Sequence, residues 1–175
     1  SAVVVFVDVQ APDKELGRLD LRQELGAHKI VDAALVPDGD DLLVLVRNPD
    51  AVARIVFEPD PGGVMQARLA ALVGVCRGAS ALAVGRLQAA QGAVDRVFVS
   101  CYDENRVIAY DPQSLTQTDA SAREGRGPHA IVVDETKARL YVAYFLDDTI
   151  GVFSLLAPSG VPRMQVVARL GNPRQ

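Results

Sequence analysis

Two histidines, two cysteines and a set of paired carboxylates carry most of the reactive chemistry available to this chain. His28 and His129 each follow a glycine and a small residue or proline, in Gly26-Ala27-His28 and Gly127-Pro128-His129. Imidazoles at matching places of a repeat could join a metal site or a catalytic ring. The intervening copy carries Ser80 and a fourth carries Arg174, so an unbroken ring of ligands fails within the chain. His28, His129 and Arg174 are therefore candidate ligand-binding groups, and the plainer expectation is that each ring hydrogen-bonds a neighbouring segment.

Cys76 and Cys101 lack the CxxC spacing of zinc or thiol-redox sites. Cys76 stands four residues before one apolar strand and Cys101 at the end of the next. Antiparallel pairing of those strands brings the two ends together, so a Cys76–Cys101 disulfide is expected, the alternative being two free buried thiols. Such a bridge would imply an oxidising compartment. Asp38 with Asp40, Asp103 with Glu104 and Asp147 with Asp148 offer hard oxygen ligands that suit Ca²⁺. No EF-hand spacing accompanies them, and acidic residues at solvated hairpin turns are the ordinary expectation, so no metal or other cofactor is assigned. No GxSxG, HExxH, Walker loop or dinucleotide fingerprint occurs.

The chain has 175 residues, of which 49% are hydrophobic and 23% charged, a balance that builds an ordinary core rather than a disordered segment. A net charge of −4, spread along the sequence, leaves no basic stripe for a phosphate backbone, so nucleic acid is not an expected partner. Its apolar runs, such as Leu42 to Val46 and Leu140 to Leu146, fall short of the roughly 20 residues of a membrane helix. Tryptophan is absent and aromatics make up 5%, which disfavours sugar and single-strand stacking surfaces. Ser1 opens directly into an apolar run, so the chain reads as a fragment or a processed form, with any signal peptide or lipid-anchoring cysteine upstream.

The elements that must position these groups repeat. Gly26-Ala27-His28-Lys29-Ile30-Val31, Gly78-Ala79-Ser80-Ala81-Leu82-Ala83 and Gly127-Pro128-His129-Ala130-Ile131-Val132 share one pattern, and Gly171-Asn172-Pro173-Arg174 begins a fourth copy. The glycines are 52, 49 and 44 residues apart, close to the roughly 40–50 residues of a four-stranded propeller blade. Each copy continues with a second apolar strand (Leu42 to Val46, Val97 to Val99, Leu140 to Ala143) and a polar turn. A third strand follows (Val52 to Phe57, Val107 to Tyr110, Ile150 to Phe153), then a mixed fourth (Gln66 to Leu69, Gln165 to Ala168). Inner strands covered on both faces read as continuous Val, Leu and Ile, whereas an outer strand alternates.

The spacing predicts an all-β chain of antiparallel four-stranded blades, about three and a half in number. Residues 1–25 end one blade, 26–75, 76–124 and 125–170 are whole blades, and 171–175 start the next. Ala2 to Val9 and Gly17 to Leu25 are expected as the last two strands of the first, the second resting on the alternation of Arg18-Leu19-Asp20-Leu21-Arg22. Met65 to Val94 is rich in Ala and Leu and has helical propensity, which Gly74, Gly78, Gly85 and Gly92 oppose. Leu87 to Asp95 is expected as a surface loop.

The run Arg96-Val97-Phe98-Val99-Ser100-Cys101-Tyr102-Asp103-Glu104-Asn105-Arg106-Val107-Ile108-Ala109-Tyr110-Asp111-Pro112 resembles the YVTN-type repeats of bacterial extracytoplasmic β-propellers. So do Gly127 to Asp134 and Arg139-Leu140-Tyr141-Val142-Ala143-Tyr144, followed by Phe145 to Phe153, although Tyr144 stands where the family pattern has Asn. The resemblance implies a disc, usually of seven blades, in a periplasmic, secreted or outer-membrane-associated bacterial protein. It places His28 and His129 at the rim of a central channel. It implies no reaction, because the fold serves lactonases, metal-centre enzymes and pure binding modules alike. Two functions follow. One is a non-catalytic binding or scaffold module that docks protein partners in the cell envelope or outside the cell; the other is a lactonase-type or metal-centre enzyme using His28, His129 and Arg174. A disc open after three and a half blades would leave apolar sheet faces bare, so further blades, in the same polypeptide or in a partner chain, are expected to complete it.

Overall fold

A computed structural model describes residues 2–7, 10, 14–37 and 39–171. Arg174 and Asp38, named above as candidate ligands, lie outside these residues. Among the described residues the chain forms one two-stranded and three four-stranded antiparallel sheets. The first sheet pairs β1 (Val3–Val7) with β2 (Glu15–Asp20). The second is a meander of β3 (Lys29–Leu35), β4 (Leu42–Arg47), β5 (Ala51–Pro59) and β6 (Met65–Gly74). The third runs β7 (Ala79–Ala89), β8 (Gly92–Cys101), β9 (Arg106–Tyr110) and β10 (Gln117–Ala120), and the fourth β11 (Pro128–Asp134), β12 (Arg139–Tyr144), β13 (Thr149–Leu156) and β14 (Pro162–Leu170). The first strands β3, β7 and β11 lie side by side, and the outer strands β2 and β6 also touch. The sheets thus stand face to face around an axis, with β1 and β2 as the outer pair of the first.

The unbroken apolar runs are explained by two-sided burial. Val44 and Val46 of β4 pack toward the first sheet with Ala2, Leu21 and Ile55, while Leu43 and Leu45 pack toward Val97, Val99, Ile108 and Tyr110 of the third. In β8, Phe98 points the other way, into a core with Leu140, Val142, Tyr144 and Phe153. Each such side chain contributes about 1.5–3 kcal/mol by leaving water. The outer strand β6 alternates exposed and half-buried residues, as expected for a strand covered on one side.

Two expectations need correction. Gly17 to Leu25 is not one strand: β2 ends at Asp20, and Leu21–Leu25 form a helical turn, α1. The Asp20 carboxylate accepts the N–H groups of Arg22 and Gln23, and Gly26 closes the turn in the left-handed conformation at φ 66°. An acid followed three residues on by Gln is a helix-start signal that overrides the alternation around it. Met65 to Val94 is strand despite its helical propensity, as its glycines indicate: the stretch builds β6, β7 and the start of β8. Leu87 to Asp95 is not a surface loop either. Strands β7 and β8 pair out to Ala89↔Gly92, Leu87 is 1% exposed between the third and fourth sheets, and the Ala90 N–H donates to Gly160 O at 3.0 Å. The hairpin is long because it leans on the neighbouring sheet. Where β7 meets β11, a Cβ on Gly85 would stand 2.4 Å from Val133 Cγ1, so this close approach requires glycine.

Cys76 and Cys101 form the expected disulfide, with Cα atoms 5.6 Å apart. It sits in the core between the second and third sheets and ties the β6–β7 crossover to the end of β8.

Candidate functional site

The strand registers define one rim. Strand pairs Val46↔Ala51, Cys101↔Arg106 and Tyr144↔Thr149 each begin the pairing of second and third strands, and so occupy the same place in the three complete sheets. Opposite them the first strand carries a bulge. Val31 is the extra residue between Ile30↔Val46 and Asp32↔Leu45, Ser80 that between Ala79↔Cys101 and Ala81↔Ser100, and His129 that between Pro128↔Tyr144 and Ala130↔Ala143. A bulged residue leaves the ladder and re-aims its side chain.

Val31, Ser80 and His129 are spaced 49 residues apart and together line a recess of about 650 Å³ at the mouth of the arc. Lys29, Arg47, Asp50, Tyr102, Asp103 and Phe145 complete its principal wall. The expected equivalence of His28 with His129 is therefore corrected. The structural counterpart of His129 in the second sheet is Val31, because α1 and its Gly26 cap place three further residues, Ala27, His28 and Lys29, ahead of the bulge register. His28 is exposed, its N–H donates to Arg47 O at 3.3 Å, and it does not line the recess. His129 is exposed with its ring centroid 6.1 Å from that of Phe145. The recess residues Lys29, Arg47, Tyr102 and Phe145 were not singled out by sequence; aligning the repeats on the turn after the second strand, rather than on the glycines, would have found them.

The rim is held by a repeated latch. Asp50 Oδ2 accepts the N–H of Gly78, and Asn105 Oδ1 accepts that of Gly127, both at 2.8 Å. In each case the turn of one sheet grips the start of the next sheet's first strand, where the glycine sits at φ 67° or 64°. A second contact acts within each sheet. Glu104 Oε1 accepts the Arg77 N–H at 3.0 Å, and Asp147 Oδ2 accepts the Arg126 N–H at 2.8 Å. Glu104 also pairs with Arg106, and Asp147 with Arg126 and Arg169. The acidic residues Glu104 and Asp147, considered above for calcium, thus hold backbone donors and guanidinium groups. Among the described residues no three His, Cys, Asp or Glu side chains converge as a metal site.

These contacts hold both carboxyls below their ordinary range, chiefly through the backbone N–H of Arg77 for Glu104 and of Arg126 for Asp147. A carboxyl lowered by folding stabilises the protein above its unfolded pKa, and that contribution is lost as pH falls through the folded value. Urea midpoints measured downward from about pH 5 should therefore decline less steeply in Asp147→Asn than in the wild type. Parallel curves would show that Asp147 is not engaged as described.

No protein-family model matches the chain, and neither does any curated protein. Solved structures do. A candidate 6-phosphogluconolactonase from Bacteroides uniformis superposes with a TM-score of 0.64 at 17% identity, covering 97% of this chain and 50% of that one. The fold is a β-propeller. The chain spans half the length of that structure. A protein of unknown function from Desulfotomaculum acetoxidans aligns with a TM-score of 0.48 at 16% identity, over 98% of this chain and 64% of that one. At these identities the propeller likeness concerns the path of the backbone alone.

Proposed function

We propose that this chain is part of a closed, non-catalytic β-propeller of the YVTN-repeat kind, a binding or scaffold module for protein partners in the bacterial envelope or outside the cell. The outward face of the fourth sheet carries the closed ring. Val132, Tyr141, Val152 and Ala168 share one cross-strand row and Ala143, Ile150 and Leu170 the next. Val132 is 62%, Ile150 41% and Leu170 53% exposed. The corresponding faces of the second and third sheets are buried by the sheet that follows them. The occupant that fits is a further blade of the same polypeptide. Gly171 supports it: like Gly78 and Gly127 it has positive φ and lies after the outer strand of a complete sheet, here against Asp148 and Thr149. The Cys76–Cys101 disulfide supports an oxidising compartment, and among the described residues no helix is long and apolar enough to cross a membrane.

Val132→Lys in the intact protein tests the reading. A face covered by another blade should lose several kcal/mol on receiving an unpaired charge, whereas a solvent-facing site should shift by no more than about 0.5 kcal/mol. Only the first outcome keeps the closed ring. The position of His129 in the recess favours, as a second reading, a lactonase-type enzyme. On that reading His129→Ala abolishes lactone hydrolysis; on the scaffold reading partner binding survives metal chelation and no hydrolysis is there to lose.

A further inference from the structure

The recess holds two charges that the fold leaves unengaged. Arg47 Nη2 donates to Ala79 O, Arg47 Nε lies 3.7 Å from Asp50 Oδ1, and Asp50 Oδ2 takes the Gly78 N–H, so that pair is committed to the junction of the second and third sheets. Ser80 is committed as well, its hydroxyl lying 2.7 Å from Pro128 O. Lys29, on the second sheet, and Asp103, in the β8–β9 turn of the third, are both exposed. Neither side chain makes a hydrogen bond or ion pair to another described residue, the backbone of Lys29 pairing with Arg47 and the Asp103 carboxylate lying against Gly78. One cation and one anion on neighbouring sheets are complemented by a ligand that carries both charges. The remaining wall is aromatic, with Tyr102, His129 and Phe145 lining the same space. Apolar planar groups find edge and face contacts on such rings. The volume of about 650 Å³ lies within the range of small-molecule sites.

We infer that this recess binds a zwitterion of amino-acid size with an aromatic side chain, its carboxylate at Lys29, its ammonium at Asp103 and its ring against His129 and Phe145. The inference rests on the reading of the chain as a binding module and adds to it the chemistry of one ligand.

Three matched probes isolate each contact: L-phenylalanine, 3-phenylpropionate, which lacks the ammonium, and phenethylamine, which lacks the carboxylate. Titrated into the intact protein, phenylalanine should shift the His129 imidazole resonances and saturate, and each truncated probe should bind at least about tenfold more weakly, as expected for loss of one charge-assisted contact. Lys29→Met should weaken phenylalanine by about tenfold and leave phenethylamine unchanged, and Asp103→Asn should weaken phenylalanine and spare 3-phenylpropionate. Both side chains are exposed, so urea midpoints should stay in place and certify the variants as folded. Equal binding of the three probes, an unmoved His129 resonance, or phenylalanine affinity indifferent to both substitutions overturns the inference. A protein that responds to Val132→Lys as a closed ring but ignores all three probes retains the scaffold reading and loses this one.

Discussion

Phe98→Ala is expected to lower stability by about 3–5 kcal/mol, read as a reduced urea midpoint at unchanged slope. Phe98 is 1% exposed and projects from β8 into the core between the third and fourth sheets, where Leu140, Val142 and Phe153 meet it. Its neighbours Val97 and Val99 face the opposite way, toward the second sheet. Truncation therefore opens a cavity in one inter-sheet core and leaves the other intact. The surrounding strands are fixed by ladders on both sides, so collapse around the gap is limited and the upper part of the range is expected. Val166→Ala on the exposed outer strand β14 serves as the contrast and should stay within about 0.5 kcal/mol. A loss below about 1 kcal/mol for Phe98→Ala would mean that the third and fourth sheets do not pack as described.

Reduction of the disulfide should remove about 3 kcal/mol, the chain-entropy value for a loop of this size. The bridge spans 25 residues and its cysteines are 6% and 0% exposed, so it joins a core that is already dry. Cys76→Ala with Cys101→Ala should show the same loss and no further response to reductant. A wild-type midpoint indifferent to reductant, under conditions where thiol titration confirms cleavage, would defeat this expectation. The equivalent place in the next sheet uses a different device. Tyr144 occupies the position of Cys101, and Gly125, two residues before Gly127, that of Cys76. A Cβ on Gly125 would lie 2.5 Å from Tyr144 Cγ. An aromatic ring laid over a glycine thus fills the joint that a covalent bridge closes one repeat earlier.

The strands of the three complete sheets were legible because two-sided burial writes continuous apolar runs such as Leu42 to Val46, and the cysteine pairing was legible because strand polarity alone brings those two ends together. The register of the first strand was not. Glycine is a marker of backbone conformation, and Gly26 adopts the same left-handed φ as Gly78 and Gly127 while ending a helical turn instead of starting a strand. Aligning on it moved the repeat by three residues and paired His28 with His129. The hairpin at Leu87 to Asp95 is obscured for a related reason: its small and polar residues look like a loop in isolation, and only the neighbouring sheet, through Gly160 and Met164, gives them a surface to lie on.

The bulges at Val31, Ser80 and His129 have a bearing on how this surface can diversify. Each side chain there is released from strand pairing, while separate residues, Asp50 and Asn105, clamp one repeat to the next. Selection, or an engineer, can rewrite Val31 and His129 without touching those joints, whereas Ser80 also holds Pro128 of the next sheet and is the constrained member of the three.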